Sequence, residues 1–414
     1  MQDFPPPRSF SIPLLVAILC LALFACHQPE RFVAEGVTGT DSSATTSVGL
    51  VSPINTGMQI CNPAISGDTV NFPGSMLWLG FSGKLVVKDP PATYGTTSAI
   101  QHDRLTISRE DNSVAWFILK DSVPGVQCEF QDPDWSAHPE WLVSMGAKAE
   151  HGNCDNDEFI YSGWVIRPSD NARFRFNRDG LDGISTPHAW FAPGMAGPDS
   201  GRVVDTAQYN SAGLATQASV EDYFGSTQVK FSWSKAESGY TIHYIDYSET
   251  SPQDRILSKP VGRETWKAES GMISPDGKWI AYNLYERQDL FESYVQELKI
   301  GSVPALISAT GMDPRWWVSP TDPTRIFIVF MTVPATSGYL VQQDLLDAAV
   351  LQSGSAGATW LQEIKLSPGL PSSLALEIIG APRKLVNLPF RGGLSPDGRF
   401  LATGTNDGYM MELY

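Results

Sequence analysis

One short sequence occurs twice in this chain, and it constrains the fold more than any other feature. Residues 271–282 read GMISPDGKWIAY, and residues 392–402 read GGLSPDGRFLA. In each copy a proline presets φ for a turn, an aspartate can bond its own backbone, and a glycine accepts a positive φ. Apolar β-formers flank the turn, so each copy predicts a strand, a tight turn and a second strand that is buried on both faces.

Weaker copies of this sequence keep the apolar residue before the serine and the strand that follows, but most lack the Asp-Gly pair. They are centred on Ser66, Ser108, Ser136, Ser234 and Ser319. Several neighbouring serines lie about forty residues apart, and periods of this length built of short strands are typical of radially repeated β-sheets. Taken together, the serines predict seven blades, or six if either Ser108 or Ser136 is a false marker.

The repeated sequence resembles the TolB-like, WD-repeat-like β-propeller repeat, whose blades carry a W-S-P-D-G-K-x-I-A-F type signature. Residues 271–282 and 392–402 match that signature closely. The resemblance implies an all-β propeller of four-stranded blades, and TolB-like propellers are typically six-bladed. A β-sandwich with two similar hairpins is the alternative fold.

The last blade is one strand short at the C-terminus. After the second close copy there is room for strands at 399–403 and 409–413, and the chain stops at Tyr414. A propeller has to close its ring, because an open ring exposes a sheet edge. We therefore expect an N-terminal strand within residues 48–60 to close the last blade.

The first residues have the features of an export signal. An apolar run from Leu14 to Ala25 is too short to span a bilayer but has the length of a signal-peptide core. It ends at Leu23-Phe24-Ala25-Cys26, which resembles the bacterial lipobox. This resemblance implies that Cys26 is the first mature residue and carries a lipid on its thiol. Ordinary secretory cleavage near Ala25, which would leave Cys26 as a free thiol, is the alternative.

The chain therefore divides into three parts. They are a signal peptide at 1–25, a flexible tether at 26–47 and a propeller domain at 48–414 with an insertion around 146–229. Residues 342–352 have apolar side chains at helical spacing and predict a short surface helix. In the lipoprotein family, a residue other than Asp after the lipidated cysteine, here His27, implies onward transport to an outer membrane. We expect a lipid-anchored protein of the cell envelope that faces the periplasm or the cell surface.

The acidic composition limits the partners. The formal net charge is −16 at pH 7, whereas a nucleic-acid-binding protein needs a basic face. Docking on anionic lipid also needs cationic side chains. We therefore expect no nucleic-acid partner, membrane contact through the N-terminal lipid alone, and a monomer.

The cysteines indicate a disulfide rather than a metal site. With Cys26 lipidated, Cys61, Cys128 and Cys154 remain in the mature chain. In an oxidising compartment Cys128 and Cys154 are the natural pair, since they close a loop of modest length. Cys61 would then be a buried free thiol. The sequence contains no C-x-x-C, H-x-H or H-E-x-x-H spacing, so we predict neither a metal nor another cofactor.

The sequence favours binding over catalysis. It contains no G-x-S-x-G elbow, and no acid/base pair of carboxylates is singled out. We expect a binding or scaffolding module for a protein or glycan of the envelope. A carbohydrate-active lyase or glycosidase that uses the propeller funnel, with His102, Asp103 or His188, is the alternative. Trp164, Trp190 and Trp360 lie outside the repeats and are candidates for stacking on a ligand, with burial in the core as the other interpretation.

Overall fold

The protein is described by a computed structural model. It covers residues 48–54, 63–80, 102–111, 113–154, 158–178, 184–195, 197–205, 207–235, 240–287, 290–332, 357–367, 375–387, 389, 391–404 and 408–413. The predicted signal peptide, the tether with Cys26, Cys61 and the predicted helix at 342–352 lie outside these residues. Among the described residues, no helix is long and apolar enough to cross a membrane.

Five sheets contain four or five strands each, and each of these sheets is one blade. Blade 1 contains β2 (Ala64–Ile65), β3 (Ser75–Gly80), β4 (Arg104–Arg109) and β5 (Val114–Leu119). Blade 2 contains β6 (Glu129–Trp135), β7 (Leu142–Ala149), β8 (Phe159–Arg167) and β9 (Ala172–Arg175), with β11 (Val203–Val204) parallel to β9 at the edge. Blade 3 contains β10 (Ile184–Phe191), β12 (Val229–Lys235), β13 (Thr241–Asp246) and β14 (Arg255–Ile256). Blade 4 contains β15 (Lys267–Ile273), β16 (Trp279–Arg287), β17 (Leu290–Glu297) and β18 (Ala305–Ser308). Blade 5 contains β19 (Gly311–Val318), β20 (Ile326–Thr332), β21 (Ala358–Leu366) and β22 (Leu376–Val386).

A sixth sheet, called the closing sheet here, joins the two ends of the described chain. Its order is β1 (Val48–Ile54), β24 (Gly408–Leu413) and β23 (Phe400–Gly404). β1 pairs antiparallel with β24, with Ser52 opposite Met410. An isolated bridge between Leu394 and Leu401 places the segment before β23 at the inner side of this sheet. The expectation that an N-terminal strand closes the last sheet is therefore confirmed.

Neighbouring sheets pack through buried apolar clusters, and the clusters follow one another around a ring. Each cluster contains side chains from two consecutive sheets: Leu105 and Phe130, Phe176 and Phe231, Tyr244 and Tyr282, Trp279 and Phe330, Phe327 and Leu401, and Met76 and Phe400. The last two pairs connect the closing sheet to blade 5 and to blade 1. This radial arrangement is a β-propeller, so the predicted all-β propeller fold is confirmed.

The predicted number of blades is wrong. The described residues form five blades of four or five strands and a closing sheet of three, instead of seven or six four-stranded blades. Ser108 lies within β4, where it accepts the indole N–H of Trp78 at 2.9 Å, and Ser234 lies within β12, 2.9 Å from the hydroxyl of Thr186. Neither serine begins a blade. Conversely, the first strand of blade 3, β10, is followed by Ala192 in place of a serine. The serine repeat therefore does not mark this blade.

The two close copies of the repeat fold as predicted. In blade 4 the Ser274 hydroxyl oxygen accepts the backbone N–H of Trp279 at 3.0 Å, and an Asp276 carboxylate oxygen accepts that of Lys278 at 3.1 Å. Gly277 has a φ of 70°, a value that favours glycine. Residues 395–400 repeat this turn before β23.

Residues 146–229, expected as an insertion, contain β8, β9 and β10, which are strands of blades 2 and 3. The segment between β10 and β12 adds β11 to the edge of blade 2 and includes α1 (Gln217–Phe224). The helix begins after Thr216, whose hydroxyl accepts the N–H of Ser219, and ends at Gly225. It buries Val220, Tyr223 and Phe224 in the apolar cluster between blades 2 and 3.

Candidate functional site: the central cavity

A cavity of about 320 Å³ lies where the first strands of all five blades meet residues 392–396. These first strands, β2, β6, β10, β15 and β19, are called the inner strands. Most of the lining is apolar or small, and its ionisable side chains are Asp134, His188 and Arg315. Apolar walls with a few polar groups are the usual composition of a small-ligand site.

Bulges in the inner strands place these side chains in the cavity wall. The bulges lie between Gln131 and Asp134, Ser185 and His188, Glu269 and Met272, and Met312 and Arg315. Each bulge contains one residue with positive φ, namely Asp132, Thr186, Ser270 or Asp313. A bulge bends a strand and re-aims the side chains that follow. The residue that ends each of the four bulges lines the cavity.

A second repeat in the sequence, distinct from the serine repeat, marks these bulges. The positive-φ residue is followed by proline in β6, β10 and β19 and by glycine in β15. Proline has no N–H for the ladder, so within a sheet it is confined to edge strands and bulges. Thr186-Pro187-His188 would have identified β10 as an inner strand although no serine follows it.

An ion pair connects opposite walls of the cavity. Arg315 Nη1 in blade 5 contacts Asp134 Oδ2 in blade 2, and both side chains are mostly buried. Asp134 Oδ1 accepts the N–H of Trp135 at 2.7 Å, and Arg315 Nη1 lies 3.4 Å from Met272 Sδ. Burial raises the pKa of Asp134, and the charge of Arg315 opposes that shift. The two charges compensate each other within the cavity.

His188 is held as a neutral ring between three blades. Its Nδ1 accepts the backbone N–H of Ile273 in blade 4 at 3.0 Å. The ring also hydrogen-bonds the backbone of Trp135 in blade 2, and burial lowers its pKa to about 3. A neutral imidazole with one accepting and one donating nitrogen has no further hydrogen-bonding capacity. His188 therefore ties blades together.

Polar side chains at the bulges form a chain of hydrogen bonds around the axis. Asp132 Oδ2 accepts the N–H of Thr186 at 3.1 Å, and Thr186 Oγ1 accepts the N–H of Ser270 at 3.2 Å. The Ser270 hydroxyl donates to Asp313 Oδ1 at 3.3 Å, and Arg391 Nε lies 2.5 Å from Asp313 Oδ2. These contacts run from blade 2 through blades 3, 4 and 5 to the segment before β23. They connect the inner strands of neighbouring blades around the cavity.

Three tryptophans line the cavity, and none of them was a predicted ligand-stacking residue. The indole N–H groups donate to backbone carbonyls: Trp135 to Pro139 at 2.8 Å, Trp316 to Met272 at 2.7 Å, and Trp317 to Ser395 at 2.9 Å. These bonds fix the position of each ring. The rings therefore contribute only apolar surface to the cavity wall, because the single polar atom of each indole already donates a hydrogen bond.

The solved structures that match this chain include β-propellers, all at low sequence identity. A protein of unknown function from Dyadobacter fermentans is 10% identical, with 88% of this chain and 98% of the other covered and a TM-score of 0.40. The β-propeller domain of the trilobed protease from Pyrococcus furiosus is 12% identical, with coverages of 86% and 91% and a TM-score of 0.35. A TolB-like protein from Agrobacterium tumefaciens is 13% identical, with coverages of 72% and 94% and a TM-score of 0.26. No family model and no curated protein matches the chain. TM-scores this low support no statement about this chain, and the propeller assignment rests on the sheets described above.

The three tryptophans proposed from the sequence lie in different blades and outside the cavity lining. Trp164 in blade 2 is fully buried and donates to the Ser162 hydroxyl at 3.1 Å. Trp190 in blade 3 is buried and donates to the Pro275 carbonyl of blade 4 at 2.8 Å. These two rings serve packing, because they have almost no surface on which a ligand could stack.

Trp360 in blade 5 is half-buried. Its indole N–H donates to the Thr332 hydroxyl at 3.0 Å, and the Lys384 ammonium lies 5.1 Å from the ring centroid. Its ring is thus already covered in part by a cation within the same blade.

Two further predicted features lie away from the cavity lining. Cys128 and Cys154 form a disulfide with an S–S distance of 2.05 Å, which joins the chain before β6 to the loop after β7. His102 lies 2.8 Å from Gln131 Nε2 through its Nδ1, and burial lowers its pKa to about 4. The structure therefore does not bring His102 and His188 together. Within the described ranges no group of three His, Cys, Asp or Glu side chains is arranged to hold a metal ion.

Proposed function

We propose that this chain is an exported binding module of the bacterial cell envelope, anchored by a lipid on Cys26, whose central cavity binds a protein or glycan partner. One observation carries the proposal: each ionisable group in the cavity wall already has a partner within the protein. Asp134 pairs with Arg315, and burial keeps His188 neutral between two hydrogen-bonding partners. Groups held in this way can position a ligand, but they are not poised to transfer protons.

A glycosidase working in the funnel is the less favoured function. Glycoside hydrolysis generally uses two carboxyl groups that flank the scissile bond, roughly 5–9.5 Å apart. Asp134 is the only carboxylate among the described residues that line the cavity. An acid and a partner base or nucleophile are therefore not found together in this part of the chain.

Export is supported by the sequence of the leader and by the disulfide. Disulfides form and persist in oxidising compartments, and Cys128 and Cys154 are joined. The lipid is tested by mass spectrometry of the mature N-terminus and by the partitioning of a Cys26→Ser variant. We expect an acylated Cys26 and release of the variant from membranes. An unmodified N-terminus, or a variant that stays with the membranes, would contradict the anchor.

Binding at the cavity is tested by filling it. Ala137 lines the cavity, and its side chain is half-buried, so Ala137→Trp should occupy space there. Val261 is 97% exposed, which makes Val261→Trp the matched control. Partners are sought by glycan array and by pull-down from envelope extract. We expect wild type and Val261→Trp to retain the same partner and Ala137→Trp to lose it. Equal retention by all three proteins would place binding elsewhere.

A further inference from the structure

The ionisable side chains that line the central cavity carry no net charge. The Asp134 carboxylate and the Arg315 guanidinium compensate each other, and burial keeps the His188 ring neutral. A ligand with a net charge would leave that charge without a partner among mainly apolar walls, and such burial is unfavourable. The ligand that fits this cavity is therefore uncharged.

The ion pair still has hydrogen-bonding capacity of both kinds. Each carboxylate oxygen of Asp134 makes one hydrogen bond, to Arg315 and to the Trp135 N–H, and each oxygen can accept another. Both contacts of the Arg315 guanidinium described above use Nη1, which leaves Nη2 as a donor within the described part of the chain, whereas Nε is buried in the wall. A complementary ligand presents groups that donate and accept at neighbouring positions. Adjacent hydroxyl groups do this, because every hydroxyl both donates and accepts.

The walls beside the ion pair suit a flat ring with an apolar face. Trp316 follows Arg315 in β19, lines the cavity and is half-buried. Trp317 also lines the cavity, but successive side chains of a strand point to opposite faces, and its ring packs on Phe327. A pyranose ring has C–H groups on its faces and hydroxyls at its edge, so it can pack on an indole while it hydrogen-bonds sideways. The volume of about 320 Å³ is near the lower end of the range for ligand pockets, roughly 300–1,000 Å³. That volume suits one ring better than a long segment.

We infer that the cavity holds the terminal pyranose unit of a neutral glycan, with its ring against Trp316 and adjacent hydroxyls bonded to Asp134 and Arg315. This inference rests on the proposed function, because it names the ligand class of the same cavity. Uncharged peptides and charged glycans are the competing ligands that the test must separate.

The experiment compares three sets of immobilised oligosaccharides, which are neutral, acidic with uronic or sialic acids, and basic with free amino sugars. The full chain, solubilised with detergent, is applied, and the best neutral binder is titrated as the free sugar by calorimetry. The test variant is Asp134→Leu with Arg315→Met, which removes both charges together. The matched control is Glu363→Leu with Arg325→Met, an ion pair at 2.6 Å on the outer part of blade 5.

Neutral glycans should bind at least about tenfold more tightly than charged ones, and the test variant should lose at least about tenfold in affinity, since one or two hydrogen bonds are removed. The control variant should bind as wild type. Trp316→Leu, which keeps both charges, should also weaken binding and serves if the double variant fails to fold. A preference for charged glycans, or unchanged binding by Asp134→Leu/Arg315→Met and Trp316→Leu, overturns the inference.

The outcome also separates this inference from the proposed function. If no glycan binds but a protein partner is retained by wild type and lost by Ala137→Trp, the pyranose inference is wrong and the binding module stands. If neither a glycan nor a protein depends on the cavity, both are wrong.

Discussion

Single side chains at the axis connect blades that are distant in the sequence. His188 in blade 3 accepts the N–H of Ile273 in blade 4 at 3.0 Å and also bonds the backbone of Trp135 in blade 2. Because the folded protein keeps this ring neutral, protonation is coupled to unfolding. The same coupling gives a pH-dependent stability that can be measured.

Replacing His188 by Gln should reduce the loss of stability in acid. The pKa of His188 is lowered from 6.5 to about 3 in the folded protein. Between these values the unfolded chain binds a proton that the folded protein excludes, so this group destabilises the fold as the pH falls. From pH 7 to pH 5 its contribution to the free energy of unfolding should fall by about 2 kcal/mol. Urea denaturation at both pH values measures the difference between wild type and His188→Gln.

The matched control for that experiment is His151→Gln, because the His151 side chain is 76% exposed. The control should show the same pH dependence as wild type. If wild type and His188→Gln lose equal stability between pH 7 and pH 5, the ring is not held neutral in the folded protein.

The ion pair between Asp134 and Arg315 should behave as a coupled pair. Removing one partner leaves a buried charge unpaired, which typically costs about 3–5 kcal/mol, whereas replacing both is often close to neutral. Arg315→Met should therefore destabilise more than the double variant Asp134→Leu/Arg315→Met. Denaturation of the two single variants and the double variant forms the cycle, and additive effects would show that the two groups do not interact.

At the scale of strands and turns, the serine marker is reliable only where the hydroxyl caps a turn. Ser66, Ser136 and Ser319 each accept a backbone N–H from the loop after an inner strand, at 3.1, 3.1 and 3.3 Å. Ser108 and Ser234 bond other side chains within strands and cap no turn. An apolar residue, a serine and a strand occur in both settings, so the sequence predicted the turns of close copies correctly and miscounted the blades.

The candidate site was less predictable than the fold. The bulges could have been found from a polar residue followed by proline or glycine, as in Asp132-Pro133 and Asp313-Pro314. The contact between Asp134 and Arg315 could not, because the residues are 181 positions apart and meet only when the ring has formed. The sequence predicts elements with local signals, whereas the cavity depends on how distant elements are placed around the axis.

The disulfide should stabilise blade 2, because it joins the residue before β6 to the loop between β7 and β8. Cys128 and Cys154 are 26 residues apart, and closing a loop of this length contributes about 3 kcal/mol on the chain-entropy model. Replacing both cysteines by alanine should lower the free energy of unfolding by about that amount. Dithiothreitol should destabilise wild type similarly and leave the double variant unchanged. Equal stability of the oxidised wild type and the variant would contradict this role.

At the scale of the whole molecule, the ring brings distant parts of the chain to one place. The cavity lining comes from the inner strands of all five blades and from residues 392–396 before β23. That last segment is held in place by the closing sheet, whose outer strand β1 comes from the other end of the described chain. The closed ring is therefore the feature on which the cavity and the contacts across it depend.

Two N-terminal truncations test the closed ring most directly. Deleting residues 27–47 removes only the predicted tether, so the melting temperature should stay within a few degrees of that of the full chain. Deleting residues 27–54 also removes β1, which pairs with β24, and exposes the backbone edge of β24. We expect the melting temperature, measured by calorimetry, to fall by roughly 10 °C or more, since several kcal/mol of strand pairing and packing are lost. Equal melting temperatures for the two truncated proteins would contradict closure of the ring by β1.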